Sequence, residues 1–402
     1  MPGPSGARRE SEDRPEQVNT QCHFNNQQHR KKPQFPLTPT DVVRHFGDRL
    51  TYFDLKEISE YSEIWYLGKK IGGSLRNAEL NGNIFQVSHD HIAYRYEVLE
   101  MLGEGSYGQV FKCLDHKTNE MVAIKIIQDM RTYREEVEIL DYLRKKDRNG
   151  SYNIVFMKTH FYFRKRLCIV YELLGPTLSE LKRIQRFSKA DVRRIAKDVV
   201  RCLRLLEKEK IIHGDLKPGN ITLKEKGQGV KVIDFGGSSF EQKKLFPGIH
   251  TRIYSPPEVL MKNHYTTAID MWSLGCILAE LHTGRYLFPG VDDYDQIALI
   301  MEVLGRPPTE FVQEEKTWNF FYNHKGHWRK IYDSKDRVIK PRSKDLKTIL
   351  DTDDLQFLDF IQRCLNWNPE KRLTPMEAMK HPWLHSDSCR CRARTRAPKQ
   401  AS

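Results

Sequence analysis

The sequence predicts an α+β protein with a β-rich front and an α-rich back. Three observations carry this. From Ile84 to about Arg131, apolar and polar side chains alternate in short runs rich in β-branched and aromatic residues, as in strands. From Ser188 onward, apolar residues recur at helical spacing. The chain has 402 residues and is 39% hydrophobic, enough for a sizeable core. At about 100–200 residues per domain, that length allows two to four domains or one large two-lobed enzyme.

The elements follow in order. Residues 1–34 are rich in Gln, Asn, Pro and charge, and disorder is expected there. Residues 37–68 read as two amphipathic helices, the first capped by Thr38 or Thr40, with Val42, Val43 and Phe46 on one face. Residues 71–83 (IGGSLRNAELNGN) read as a loop, and IFQVSHDHIAYRYEVLEML then alternates as strands do. YEVLEML, GQVFKCLDH and EMVAIKII are three strands, joined by the turns GEGSYG and HKTNE. SKADVRRIAKDVVRCLRLLEKEK is a helix behind a Ser188 N-cap. MWSLGCILAELHTG and LQFLDFIQRCL read as largely buried helices, and no internal repeat is seen.

Lys plus Arg is 66 and Asp plus Glu is 53, so the net charge is +13. A basic excess suggests nucleic acid, but this one is dispersed. Residues 1–34 carry +2 and residues 386–402 carry +4, leaving +7 for the rest. No aromatics interleave the arginines of RCRARTRAPK, which argues against a base-stacking platform. That run reads as a solvated terminus or a nuclear-import signal. The longest apolar stretch, Met271–Leu281, is about half of what a bilayer requires, so no membrane span is expected. The N-terminus lacks an apolar signal core, and the eight Cys show no zinc spacing. Reduced thiols in a cytosolic or nuclear protein are expected.

Four motifs carry chemistry. Gly103-Glu104-Gly105-Ser106-Tyr107-Gly108 is followed by a strand, which makes it a hairpin and not a dinucleotide-binding turn. A glycine hairpin lets backbone amides approach phosphates, although taken alone it is an ordinary turn. Lys125 stands inside the apolar strand Val122-Ala123-Ile124, where a lysine is rarely buried unless paired. The bland reading is a snorkelling edge lysine. The functional one is a phosphate-gripping ammonium held by a helix glutamate: Glu136, with Glu135 and Glu138 as alternatives. The third motif, His213-Gly214-Asp215-Leu216-Lys217-Pro218-Gly219-Asn220, supplies a carboxylate, an ammonium and a metal-ligating amide in one loop. Asp234-Phe235-Gly236 follows the apolar run VKVI and offers a carboxylate suited to a hard cation. Each loop alone could be a surface turn; their order and spacing together leave that reading little room.

The four motifs in this order resemble the protein kinases, from about Tyr96 to Leu384. Pro256-Pro257-Glu258, Asp270–Gly275 and Arg372 extend the resemblance, which implies that Arg372 pairs with Glu258. LCIVYELLGPTLSEL, KVIDFG, AIDMWSLGCILAEL and TGRYLFPG resemble the dual-specificity tyrosine-phosphorylation-regulated kinases, or DYRKs, of the CMGC group. His89–Gly103 is similar to the homology box of that family, and residues 37–68 to the N-terminal accessory region of its class II members.

The resemblance implies a bilobal eukaryotic protein-kinase fold, with a small β-rich N-lobe and a larger α-helical C-lobe. It implies an accessory region at 35–95, a kinase domain at 96–385 and a basic tail at 386–402. Leu102, Gly103, Glu104, Gly105, Ser106, Tyr107, Gly108, Gln109 and Val110 would cover ATP. Lys125, paired with Glu136, would contact the phosphates. Tyr171 occupies the gatekeeper position, usually Phe, and Glu172, Leu173 and Leu174 the hinge. Asp215 would be the catalytic base, Lys217 would neutralise the transferring phosphoryl, and Asn220 and Asp234 would hold Mg2+. Protein substrates and a monomeric state are expected.

The sequence departs from the family in several places. Phe246-Pro247-Gly248 stands where DYRKs carry Tyr-x-Tyr, so the tyrosine that the family autophosphorylates is Gly248 here. Of the two arginines that would bind its phosphate, Arg252 is kept and Ser255 replaces the other. A phosphate site and part of its receptor are lost together, which fits a switch no longer used. Gly214 replaces a Cys of the family. Gly219 replaces a Glu expected to read a basic residue upstream of the phosphorylated site. The segment between Lys125 and Glu136 is three residues shorter than in DYRKs. Two functions compete: an ATP-dependent Ser/Thr kinase that does not need tyrosine autophosphorylation, and a pseudokinase that binds nucleotide with little catalysis. Survival of Lys125, Asp215, Lys217, Asn220 and Asp234 favours the first.

Overall fold

The computed structural model describes residues 33–69, 89–105, 108–127, 134–225, 227, 229–243, 250–313 and 315–386. Two short helices come first, α1 (Pro39–Phe46) and α2 (Tyr52–Ile58). Thr38 caps α1 by accepting from the Asp41 amide, and Thr51 with Asp54 forms a capping box on α2. Val42 is buried, but Val43 is 47% exposed, so the expected apolar face is narrower by one residue. Leu37, Val42, Ile58, Ile64, Leu67 and Tyr94 form a small core of their own.

The alternating segment becomes one antiparallel sheet in the order β1-β2-β3-β4-β6-β5. Its strands are β1 (His91–Ile92), β2 (Tyr96–Gly105), β3 (Gly108–Asp115), β4 (Glu120–Ile127), β5 (Met157–Phe163) and β6 (Arg166–Glu172). On β3, burial alternates residue by residue, which is the period of a sheet with one covered face. Helix α3 (Arg134–Lys146) presses Ile139, Leu140 and Leu143 into a core shared with Met157, Ile169 and Tyr171 of β5 and β6.

The back is helical. α4 (Leu178–Ile184) and α5 (Lys189–Lys208) come first, each behind a complete capping box at Thr177 and Ser188. β7 (Ile211–Ile212) pairs with β10 (Ser239–Phe240), and β8 (Ile221–Leu223) with β9 (Val230–Val232). α6 (Pro257–Leu260), α7 (Ala268–Thr283) and α8 (Asp293–Leu304) follow. Then come α9 (Glu315–Phe321), α10 (Leu346–Leu350), α11 (Leu355–Cys364), α12 (Pro375–Ala378) and α13 (Pro382–His385). α7 is buried from Ile269 to Leu281, which explains why it is apolar all round. A Cβ at Gly275 would lie 2.8 Å from Cys364 Cβ, so α7 and α11 pack almost backbone to backbone.

The result is two-lobed and α+β. The sheet with α3 forms the smaller lobe and the helices after α4 the larger. The β8–β9 hairpin lies at their junction: Ile154 bridges to Val232, and Thr177 to Thr222. Five of the eight cysteines fall within the described residues, and all five are buried free thiols.

Candidate active site

The β2–β3 hairpin carries the glycines. Gly103 faces Val110 across the ladder, Glu104 faces Gln109 and Gly105 faces Gly108. Ser106 and Tyr107 lie outside the described residues. Gly108 has φ 133°, and a Cβ there would lie 2.1 Å from the Ile126 carbonyl oxygen, so only glycine fits. At Gly103 and Gly105 an added Cβ would meet nothing within 4 Å, which leaves the hairpin face open. Leu102 is exposed, and the buried Gln109 donates through Nε2 to Glu104 Oε1 at 3.2 Å. Val110 sits opposite Lys125 in the next pair of strands.

Lys125 is 6% exposed and fully engaged with carboxylates. Its Nζ donates to Glu136 Oε1 at 3.0 Å, to Glu136 Oε2 at 2.9 Å and to Asp234 Oδ1 at 2.8 Å. Burial works against its charge, but Asp234 and Glu136 outweigh that and raise its pKa. Burial likewise opposes the charge on Asp234, and Lys125 still holds that carboxyl below the usual range. Of the three candidate glutamates, Glu136 is the one that meets Lys125. Glu135 faces Lys243 at 3.3 Å, and Glu138 is exposed. Tyr171 Oη also donates to Glu136 Oε1, at 2.8 Å.

The loop between β7 and β8 holds the second cluster. Asp215 is buried, and its two oxygens have different partners. Oδ1 accepts from the Thr251 amide at 3.1 Å and from Thr251 Oγ1 at 2.6 Å. Oδ2 accepts from Lys217 Nζ at 2.6 Å, and Lys217 also donates to Thr251 Oγ1 at 3.3 Å. Asn220 donates its amide nitrogen to the Asp215 carbonyl at 2.9 Å. That commits the nitrogen end of the amide and leaves its oxygen as the ligand-forming atom. Asp234 follows β9 with φ 62°, a left-handed conformation that a non-glycine residue keeps only where its surroundings hold it. An Asn oxygen and an Asp carboxylate are the hard donors that Mg2+ prefers, so the donor set fits that ion.

Glu172, Leu173 and Leu174 connect β6 to α4. The Glu172 amide donates to the Phe156 carbonyl at 3.0 Å, and its carboxylate accepts from the Phe156 amide at 2.7 Å and from Lys231. Phe246, Pro247 and Gly248 lie outside the described residues, but the segment after them is ordered by specific contacts. Arg252 Nε donates to Asp293 Oδ1 at 2.9 Å, and its Nη1 to the Val291 carbonyl at 2.8 Å. Ser255 Oγ donates to the Thr251 carbonyl at 3.3 Å. Glu258 and Arg372 form a buried bidentate pair at 2.6 and 3.0 Å.

Sequence reasoning gave no role to two residues that shape this site. Asp270, at the start of α7, accepts from the backbone amides of His213 and Gly214 at 2.8 and 3.1 Å and so fixes the loop that carries Asp215. Burial raises its pKa, and His213 partly offsets that. Its signal was an acidic residue heading the otherwise apolar run MWSLGCILAEL. Thr251, which bridges Asp215 and Lys217, left no signal, because a hydroxyl in a loop is common. Gly214 has φ 81°, and a Cβ there would press on the Gly237 carbonyl at 3.0 Å. The adjacent His250 Nδ1 is hydrogen-bonded to the Gly214 carbonyl.

Comparison with known proteins agrees with this geometry. Residues 96–384 match the protein kinase domain family. The chain is 47% identical over 372 residues to human dual specificity tyrosine-phosphorylation-regulated kinase 4, covering 88% of this chain and 72% of that protein. It is 46% identical over 369 residues to kinase 2 of that series from Drosophila melanogaster, where it spans about half of the relative's length (51%). Human kinase 3 is 42% identical over 383 residues, covering 87% of this chain and 65% of that protein.

Proposed function

From a chain that belongs to the protein kinase family, and within it to the dual-specificity tyrosine-phosphorylation-regulated kinases, we propose a catalyst that moves the γ-phosphoryl group of ATP to Ser or Thr of protein substrates. The observation that carries this is the Lys125–Glu136–Asp234 cluster beside the loop of Asp215, Lys217 and Asn220: the Lys217 charge acts on Asp234, and the Ile233 amide before Asp234 donates to the Asn220 carbonyl at 2.9 Å. We further read 35–95 as an accessory region, 96–385 as the catalytic domain of a cytoplasmic protein and 386–402 as a basic tail.

The roles follow from the chemistry. Residues 102–110 cover the nucleotide with backbone amides, and Lys125 grips its phosphates. Glu172–Leu174 offer backbone groups to the adenine. Asp215 takes the proton of the substrate hydroxyl. That oxygen then bonds to the γ-phosphorus, the bond to the bridging oxygen breaks, and ADP leaves. Lys217, beside Asp215, offsets the charge that spreads over the transferring group. Asn220 and Asp234 would hold Mg2+, which when bound screens the phosphate charge.

Tyrosine phosphorylation is not required on this reading. Arg252, which would otherwise meet a phosphate, is satisfied by Asp293 and the Val291 carbonyl. Phosphate transfer from labelled ATP to a Ser/Thr peptide mixture tests the proposal. Asp215→Asn is expected to lower transfer by roughly 10² to 10⁴. Equal label in parent and variant would leave the nucleotide-binding, non-catalytic reading standing instead.

A further inference from the structure

Tyr171 lies opposite Ala123 in the β4–β6 ladder, and Lys125 is two residues along β4. Opposed residues and residues two apart project from the same face of a sheet. The ammonium and the phenol therefore approach α3 from one side and converge on one carboxylate. Lys125 Nζ reaches both oxygens of Glu136, and Tyr171 Oη donates to Oε1 at 2.8 Å. Glu136 is 1% exposed and Tyr171 8%, so neither has solvent as a substitute partner. Burial and then the Glu136 charge hold the phenol pKa well above its ordinary value, which keeps Tyr171 a donor at physiological pH. The phenylalanine expected here from the family resemblance would leave Oε1 to Lys125.

Glu136 stands in the first turn of α3. Beside Glu136 the first turn has an ion pair of Glu135 with Lys243 at 3.3 Å and the half-buried Val137; further along come Ile139, Leu140 and Leu143 in the core, then Tyr142 Oη on Glu209 at 2.6 Å and Lys146 on the same carboxylate at 2.9 Å. Glu136 is the buried polar anchor of that turn, while the Lys243 partner of Glu135 is more than half exposed. We propose that Tyr171 is a positioning residue: its phenol fixes Glu136, and through it Lys125, in the arrangement that receives ATP phosphates. This supplies rigidity at the N-terminal end of α3 by a hydrogen bond inside the lobe. It rests on the kinase reading above and adds a regulator-free way of holding its ion pair.

Tyr171→Phe removes one oxygen and keeps the ring. Transfer kinetics and the affinity for Mg-ATP are measured in the parent, Tyr171→Phe, Glu136→Ala and the double variant. The single Tyr171→Phe change is expected to lower kcat/KM for ATP and the ATP affinity about tenfold, the scale of one hydrogen bond to a charged acceptor, with peptide KM unmoved. On the Glu136→Ala background its effect is expected to disappear, because the phenol acts through that carboxylate. Tyr171→Met, which also lacks the hydroxyl, reproduces the loss. Unchanged ATP parameters in Tyr171→Phe, with or without a drop in melting temperature, overturn the proposal. So does an effect that survives undiminished without Glu136. If the parent transfers no phosphate, the kinase reading fails, and the affinity arm still decides the role of Tyr171.

Discussion

Gly108 closes a hairpin whose next residue pair already touches β4. An alanine there needs φ 133° and places its Cβ against the Ile126 carbonyl. Gly108→Ala is therefore expected to force the hairpin off β4, raising KM for ATP at least about tenfold and lowering stability by about 2 kcal/mol or more. An ATP titration beside a melting curve checks this, and parental values in both would contradict the steric argument. Gly103 and Gly105, with open space around them, keep glycine for the approach of a ligand. The spacing of the motif was legible in the sequence, but this division of labour among its glycines was not, because it depends on how closely β4 runs. The same holds for the carboxylate partner of Lys125. The sequence offered three glutamates in four positions, and only the rotation of α3 selects Glu136. Tyr171 was readable as a gatekeeper, but its bond to a residue 35 positions earlier depends on ladder register.

Among the elements, β2, β3, β4 and α5 lie where their patterns put them, whereas α4 and α12, too short to show a helical period, were not read despite their capping boxes. β5 and β6 were not drawn out. RLCIVYE is a continuous apolar run because it is covered on both sides, and such a run does not distinguish strand from helix. Of the alternating stretch, residues 84–88 lie outside the described residues, and β1 ends where the chain turns at Ala93 and Tyr94, both with positive φ. That turn buries His91, which stacks on Tyr94 at 4.0 Å and accepts from its amide at 3.3 Å. Burial, with Arg164 nearby, pulls the His91 pKa down to about 4 against Glu57 and Asp54. The unfolded chain protonates this ring near pH 6.5 while the fold does not. Stability is therefore fully present above pH 6.5 and declines as pH falls toward 4. The expected loss is about 2 kcal/mol by pH 5. Denaturant unfolding at pH 7.5 and pH 5 should show that loss in the parent and a smaller one in His91→Gln. The same decline in both would assign it elsewhere.

At the scale of the molecule, three fastenings connect the site to the rest. The N-terminal helices grip the sheet through Glu57 of α2, which pairs bidentately with Arg164 at 2.8 Å and accepts from Tyr94 Oη at 2.8 Å. The larger lobe is tied by Arg372, whose side chain is wholly buried against Glu258 and the Asn366 and Ala268 carbonyls. A buried pair of this kind is costly to break, because either partner alone leaves a charge without compensation. The segment carrying Thr251 is tied by Arg252 to Asp293. The first of these was invisible in the sequence, since Glu57 and Arg164 are 107 residues apart and belong to no motif. The second was implied by the resemblance, and the third reverses the use expected for Arg252. The third puts a carboxylate and a backbone carbonyl on Arg252 where relatives are expected to use a phosphate. The direct test is the rate of phosphate transfer to a Ser/Thr peptide by the chain before and after exhaustive tyrosine-phosphatase treatment, with Asp215→Asn as the blank. An unchanged rate after treatment, roughly a hundredfold or more above the blank, is the predicted result; a fall to the level of the blank would contradict the account.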